Sequence, residues 1–285
     1  MTTVSAHVDP ARPLGARRRR RSAVSTLSPV ATLNLGIAVT WFSLLVLIPL
    51  SALVATAAGG GWSEYVHTLT NAQTLAAIRL TVGQALLVTL VNAVIGTIIA
   101  WVLVRDRFWG KRILDVVIDI PFALPTIVAG LVLLTLYGPR SPLGLDWANS
   151  RMAVMLALAF VTLPFVVRTV QPVLEELDHD VEEAAASLGA KRLTIVRRLI
   201  LPALAPAIAA GAALSFARAI AEYGSLVLLS GNLPYRTEVV SVRVLSFVEG
   251  GDPAAAASLA TLMLAVALLV IVALDLLQRR VARRG

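Results

Sequence analysis

The chain contains 285 residues, of which 58% are hydrophobic and 15% are charged, whereas a soluble domain has roughly 45–50% and about 25%. This composition excludes a soluble globular protein, because the apolar excess would overfill a core and cover the surface. The absence of cysteine excludes disulfides, thiolate metal sites and cysteine nucleophiles. The formal net charge of +8 directs attention to where the basic residues lie relative to a membrane.

Six stretches approach the roughly 20 apolar residues that a helix needs to cross a bilayer core. Because open sheet edges cannot face hydrocarbon, we predict that these stretches are helices and that the chain is an all-α membrane protein. The predicted spans are 33–57, 80–104, 116–136, 152–169, 203–229 and 254–276.

A run of five arginines at 17–21 precedes the first span and admits other interpretations. A signal peptide has an apolar core of about 7 to 15 residues, whereas this apolar run has roughly 25, which favours an uncleaved anchor. The arginines could bind nucleic acid or anionic lipid. Because they lie beside a membrane span, we interpret them as a signal that orients the span in the membrane. We therefore predict that residues 1–30 form a basic tail, and we expect no nucleic-acid partner.

The basic residues are distributed unequally between the two sides of the predicted bundle. Nineteen lie in the two termini, in the loop between the second and third spans and in the loop between the fourth and fifth; five lie on the other side. Since Lys and Arg are enriched in cytoplasmic loops, both termini, including the tail 278–285, are predicted to be cytoplasmic. The expected location is the plasma (inner) membrane, with several passes.

The cytoplasmic loop 170–202 is patterned as two short helices rather than as disordered chain. Asp180 can cap the first helix, and Gly189 follows it at a position typical of a left-handed residue. A second, basic helix runs as far as Pro202, where the fifth span begins. The first helix carries an apolar stripe at helical spacing, formed by Val181, Ala184, Ala185 and Leu188. This stripe could pack on the protein's own span ends, lie among lipid headgroups, or dock a soluble partner.

The same loop resembles the EAA motif of importer permeases of the ATP-binding cassette (ABC) class. The family pattern is EAA, three residues, G, nine residues and I-x-L-P, and the chain matches it with Glu183-Ala184-Ala185, Gly189 and Leu199-x-Leu201-Pro202. Leu199 in place of Ile is the only departure, and it conserves volume. Further segments resemble the sulfate/thiosulfate branch of the family, and more specifically the first of its two paired permease subunits: 119–126, 163–177, 214–218, 222–225 and 231–232.

This resemblance implies the type I ABC importer permease (MetI-like) fold over residues 78–277, with six transmembrane helices and cytoplasmic coupling helices. The chain would then form half of a pore, and its loop helix would fit a groove on an ATP-binding subunit. The implied partners are two copies of that ATPase subunit, a second homologous permease, an extracytoplasmic sulfate-binding protein and membrane lipid. The resemblance implies six coupling residues: Glu183, Ala184, Ala185, Gly189, Leu201 and Pro202.

The chain itself carries no sign of an ATPase. A Walker A loop needs a lysine after a glycine-rich run and before Ser or Thr, and neither Lys111 nor Lys191 has that context. The three histidines are isolated and lie outside the predicted spans. We therefore predict that the chain is not an enzyme and has no catalytic residues, no metal site and no cofactor.

Arg218 lies near the middle of the predicted fifth span, where an arginine costs about 2.5–3.5 kcal/mol to insert. Glu222, at i+4, can neutralise it. The pair could simply satisfy itself at a helix interface, but a pair without function is easily replaced by apolar residues, so we interpret it as lining a translocation pathway. The guanidinium offers a fork of donors to an oxyanion, and Ser215 and Asn232 could add neutral donors.

These patterns predict a permease subunit of an ABC importer for sulfate or thiosulfate. Import of molybdate or another oxyanion is an alternative, because the external binding protein largely selects the substrate. An ion-coupled secondary transporter is an alternative of another class. It would require inverted repeats with broken helices, and no convincing repeat divides the six spans.

Overall fold

We describe the protein from a computed structural model, in which the described residues are 29–282 and the described side chains are those of 30–276. Most of the two predicted basic tails, 1–30 and 278–285, therefore lies outside the described side chains. Every regular element in the described residues is a helix. The α-helices are α1 (Pro29–Phe42), α2 (Ile48–Gly59), α3 (Gly61–Thr70), α4 (Ala72–Arg105), α5 (Lys111–Ala123), α6 (Thr126–Tyr137), α7 (Arg151–Glu176), α8 (His179–Ser187), α9 (Arg192–Ile195), α10 (Leu201–Ile220), α11 (Gly224–Leu229), α12 (Val240–Glu249) and α13 (Pro253–Ala282). Two π-turns complete the order, at Ser43–Leu47 and Val196–Ile200.

Five helical stretches are long and apolar enough to cross a membrane, and a sixth, bent pair of helices passes the same test. The five are Val30–Gly59, Ala72–Arg105, Arg151–Glu176, Arg192–Ile220 and Pro253–Leu276. The predicted first, second, fourth and sixth spans fall inside these stretches. The described residues divide into two compact units, with the boundary between Pro49 and Leu50. In the first unit the large apolar side chains of α1 are exposed, as expected of a helix that faces lipid.

The third span is not the single helix that we predicted over 116–136. It consists of α5 and α6, whose axes differ in direction by 117°. The break lies at Leu124 and Pro125, both extended, with ψ of 135° and 134°. Because a residue before proline avoids the α conformation, and Pro125 itself offers no N–H, the helix ends there and a new one begins.

The fifth span also differs from the prediction of 203–229. The helix begins earlier, at Arg192, and runs without a break through Pro202 to Ile220. Proline is tolerated because the π-turn Val196–Ile200 precedes it, and the Leu201 N–H bonds the carbonyl of Val196, five residues back. The helix stops after Ile220, and α11 is a separate short helix, so the apolar run alone set the predicted end too late.

The second unit is a bundle in which α4 packs on α7, and α10 packs on α4, α7 and α13. A polar contact joins α4 to α7: Asn92 Nδ2 donates to Thr162 Oγ1 at 2.9 Å, and such bonds hold helices together where no hydrophobic effect operates. Gly130 lets α6 approach α11, because a Cβ there would lie 2.8 Å from the Cα of Ser225. The bundle has two buried clusters, one near the loop that carries the EAA motif and one at the opposite end.

Candidate functional site

The EAA segment forms the short helix α8 followed by a tight turn. Asp178 caps the helix by accepting from the Asp180 N–H at 2.9 Å, so the predicted cap, Asp180, lies instead in the first turn. Gly189 ends the segment with φ of +85°, confirming the left-handed residue predicted there. Its N–H bonds the carbonyl of Ala186 at 2.9 Å. The chain then reverses into the helix that starts at Arg192.

Most of the apolar stripe of α8 faces outward instead of packing on its own bundle. Leu188 is 90% exposed and Val181 is 49% exposed, while Ala185 is half-buried. Glu183 and Ala184 are also exposed. We call the exposed residues Val181, Glu183, Ala184 and Leu188 the EAA surface. Large apolar side chains on a loop helix are costly to leave in water, so this surface is suited to a partner.

A single arginine holds α8 against the end of α4. Arg105, the last residue of α4, places its Nη2 2.5 Å from Glu182 Oε1, and its Nη1 contacts the imidazole ring of His179. The Arg105 side chain is 9% exposed and lies 5.9 Å from the ring centre of Trp101. We call Arg105, His179 and Glu182 the α8 clasp.

A second arginine ties α7 to α5 at the same end of the bundle. The Nη1 and Nη2 of Arg168 lie 2.7 Å from one oxygen each of Asp115 and Asp119. Its Nη2 also donates to the Asp115 carbonyl, and its Nη1 donates to Gln171 Oε1, both at 2.7 Å. Two acidic residues one turn apart on α5 thus share one guanidinium, which presents a planar fork of donors.

The predicted pair of Arg218 and Glu222 forms, but Arg218 lies in the last turn of α10 and not near the middle of the span as predicted, because the helix ends at Ile220. Arg218 Nη1 lies 2.7 Å from Glu222 Oε2; the Arg218 side chain is 30% exposed and the Glu222 side chain is fully buried. The other carboxylate oxygen, Oε1, accepts from both the N–H and the Oγ of Ser225 at 2.9 Å. Glu222 therefore follows the end of α10 and binds the first turn of α11, so the ion pair lies at the junction of two helices.

The two neutral donors predicted beside this pair are not free at the surface. Ser215 is fully buried, and its Oγ has no partner within the described residues. Asn232 has φ of +50°; its Nδ2 donates to the Val227 carbonyl and its Oδ1 accepts from Ser230 Oγ. The side chain of Asn232 thus stabilises the turn after α11.

His179, which is isolated from the other histidines in the sequence, lies against Arg105 in the α8 clasp. These residues are 74 positions apart in the chain. Hydropathy and helical periodicity report only local spacing, so neither could pair them. The one available signal was an arginine directly after an apolar span, which we used only as an orientation marker.

Comparison with known proteins places this architecture among transport components. The sequence model of the family described as "Binding-protein-dependent transport system inner membrane component" matches residues 92–284. The chain is 41% identical over 263 residues to the sulfate transport system permease protein CysT of Salmonella typhimurium, covering 90% of the chain and 95% of the relative. It is also 41% identical to the CysT protein of Escherichia coli, with the same coverage of both chains.

Solved structures share the fold at lower identity. A bacterial ABC transporter that imports the acidic polysaccharide alginate contains a chain that matches with a TM-score of 0.74 at 17% identity, covering 88% of this chain and 95% of that one. The methionine ABC transporter MetNI, in an inward-facing conformation, contains a chain that matches with a TM-score of 0.57 at 19% identity, covering 74% of this chain and 99% of that one.

Proposed function

The chain belongs to the family of binding-protein-dependent transport system inner membrane components, and from this membership we propose that it is the permease subunit of an ATP-driven importer of sulfate. The observation that carries the choice of sulfate is the 41% identity to sulfate permeases along 90% of the chain. A bundle of about six spans is too small to enclose a pore alone, so a second, homologous permease would supply the other half. Thiosulfate is included in the proposed substrate class because its charge and shape resemble those of sulfate.

The EAA surface would contact the ATPase subunit, one copy under each permease. The proposed coupling residues are Glu183, Ala184, Ala185, Gly189, Leu201 and Pro202. Two features support this role: the surface is exposed, with Leu188 90% accessible, and the α8 clasp attaches the helix to the end of α4. A push on the EAA surface would therefore move a membrane-spanning helix directly. The ATPase subunits would hydrolyse the ATP.

The orientation follows from the distribution of basic residues. We place the EAA end and both termini in the cytoplasm, and the opposite end toward an extracytoplasmic sulfate-binding protein. Arg79, Arg151 and the loop 230–239 would then face that protein. The alginate importer offers a structural parallel, since a chain with a TM-score of 0.75 comes from its complex with a substrate-bound periplasmic protein.

The pair of Arg218 and Glu222 would line the translocation pathway. Arg218 keeps 30% of its side chain exposed while Glu222 is buried beneath it, so an anion would meet the guanidinium and not the carboxylate. Glu222 would moderate the attraction, because a site that binds too tightly does not conduct. Ser215 and Asn232 would join the pathway only in a state in which α10 and α11 have moved apart.

The test is uptake of labelled sulfate by membrane vesicles that contain the whole complex, with its binding protein and ATP. Sulfate uptake should require this chain and should be inhibited by unlabelled thiosulfate. Molybdate uptake that sulfate inhibits only weakly would show that molybdate, and not sulfate, is the substrate. Uptake driven by an ion gradient without ATP would overturn the proposal for an ABC importer.

A further inference from the structure

A cavity of about 390 Å³ lies at the end of the bundle opposite the EAA surface. Two arginines, Arg79 of α4 and Arg151 at the start of α7, line it together with Gln84 and Tyr235. The remaining lining residues are small or apolar: Ala76, Leu80 and Gly83. We call this space the arginine cavity. No acidic side chain is among its lining residues, which separates it from every other arginine site described above.

The two guanidiniums of the arginine cavity have donors to spare. Within residues 29–282, the side chain of Arg79 has neither an ion-pair nor a hydrogen-bond partner, and Arg151 makes one bond, from Nε to the Arg236 carbonyl at 3.3 Å. Glu238, three residues after Tyr235 in the same loop, is 5% exposed. It is already engaged, accepting from Gln73 Nε2 at 2.8 Å and lying 3.9 Å from Arg243 Nη1. Glu238 therefore does not neutralise the cavity.

The loop that closes the cavity is fixed in place. Tyr235 adopts φ of +62°, a left-handed conformation that is unfavourable for an aromatic residue and persists only when neighbouring bonds enforce it. Those bonds are present: the Leu233 carbonyl accepts from the N–H groups of Arg236 and Thr237, and Arg151 holds the Arg236 carbonyl. The phenol of Tyr235 and the Nε2 of the Gln84 carboxamide add hydrogen-bond donors to the lining of the cavity.

Charge separates this cavity from the pair of Arg218 and Glu222. That pair is neutral overall, because its two opposite charges lie 2.7 Å apart, whereas the arginine cavity carries the positive charges of two exposed arginines and has no acidic side chain among its lining residues. Unpaired cations beside low-dielectric walls concentrate anions locally. Guanidiniums are suited to the oxygens of a tetrahedral oxyanion, which can accept several N–H bonds at once.

We propose that the arginine cavity binds a small divalent oxyanion, sulfate in this protein, after its release from the external binding protein and before it reaches Arg218. This inference rests on the proposed function. In this inference Arg79 and Arg151 attract the anion first, and Arg218 contacts it later on the translocation pathway. The phosphate of a lipid headgroup has the same chemistry, so the test separates the two sources.

The test uses the purified complex of both permeases and the ATPase subunits, without the binding protein, and measures equilibrium binding of ³⁵S-sulfate. We expect saturable binding in detergent without phospholipid, and equal binding in phospholipid nanodiscs. Arg79→Gln combined with Arg151→Gln should weaken this binding about tenfold or more, because each change removes charge-assisted hydrogen bonds. Arg140→Gln, an exposed arginine outside the cavity, is the matched control and should bind as the parent does.

Several outcomes would overturn the inference. They are no saturable binding to the parent complex, equal weakening by Arg140→Gln, and binding in detergent that disappears in phospholipid, which would assign the cavity to lipid phosphate. The double variant should elute on size exclusion as one complex with both permeases and the ATPase subunits, as the parent does, which shows that the complex is folded. If the parent complex imports sulfate with its binding protein yet the double variant binds sulfate normally, the inference fails while the proposed function stands.

Discussion

The two ends of the bundle use arginine in opposite ways. At the EAA end, Arg105 and Arg168 each contact carboxylates on another helix, at 2.5 to 2.7 Å. At the opposite end, Arg79 has no side-chain partner in the described residues and Arg151 reaches only a backbone carbonyl. A paired guanidinium fixes two helices relative to each other, whereas an unpaired one keeps its donors for a ligand.

This contrast assigns different tasks to residues of the same type. The α8 clasp joins α4 to α8, and the Arg168 contacts join α5 to α7. Ion pairs therefore connect the helices at the EAA end, which is the end that an ATPase subunit would contact. The arginine cavity is open where an anion would arrive. Arg218, in the last turn of α10, is paired but 30% exposed, which combines both properties in one residue.

The largest effect should come from removing the turn that shapes the EAA surface. Gly189→Pro forces φ from +85° to about −65° and removes the N–H that bonds the Ala186 carbonyl. We expect sulfate uptake to fall about a hundredfold or more while the chain still inserts and the ATPase retains basal activity, because the change lies outside the bundle core. Gly189→Asn tolerates a positive φ and should keep most uptake. Full uptake by Gly189→Pro would remove the turn from coupling.

The next largest effect should come from reversing the charge of Arg105, which tests whether the α8 clasp couples ATP hydrolysis to uptake. Arg105→Glu places two carboxylates together beneath α8 and should lower sulfate uptake about tenfold or more, with more ATP hydrolysed per sulfate imported. The exchange Arg105→Glu with Glu182→Arg restores opposite charges and should recover much of the coupling. Arg107→Glu, two residues further along the chain and exposed, is the control for the charge change alone. If the exchange does not improve on Arg105→Glu, the pairing is irrelevant to coupling.

Arg218→Ala should have an intermediate effect, because it removes the paired but accessible guanidinium. Uptake should fall about tenfold, the amount expected from losing a charged hydrogen bond to the anion. The single change also leaves the buried Glu222 carboxylate without its cation, which is costly by itself. Arg218→Gln with Glu222→Gln avoids that cost. Unchanged labelled-sulfate uptake in this neutral pair, at equal amounts in the membrane, would exclude Arg218 from the pathway.

The sequence predicted what depends on local spacing. The pair of Arg218 and Glu222 was predictable because four residues bring two side chains together on one helix, and Gly189 because a helix end has its own residue preference. The division of the third span at Pro125 was not predictable, since a proline within an apolar run is compatible with a kink as well as a break. The end of α10 was missed because hydropathy stays high through α11.

The sequence could not predict what depends on distant segments. The α8 clasp joins residues from positions 105 and 182, and the arginine cavity collects α4, the start of α7 and the loop before α12. Counting basic residues assigned Arg79 and Arg151 to one side of the membrane but could not show that they share a cavity. That grouping is a property of how α4 and α7 pack.

The smallest effect should come from Arg168→Lys, which keeps the charge but loses the fork. An ammonium is a compact donor that cannot reach Asp115 and Asp119 with separate nitrogens, so one carboxylate loses its partner. The Arg168 side chain is 28% exposed and water compensates part of the loss, so we expect the complex to be destabilised by about 1 kcal/mol. Arg112→Lys on α5 is the control, because Arg112 is exposed and should be neutral. The measurement is the half-time of thermal inactivation of the purified complex. Equal half-times for the two variants would show that α5 and α7 are held together by packing alone, and the contrast between the two ends would then rest on the α8 clasp.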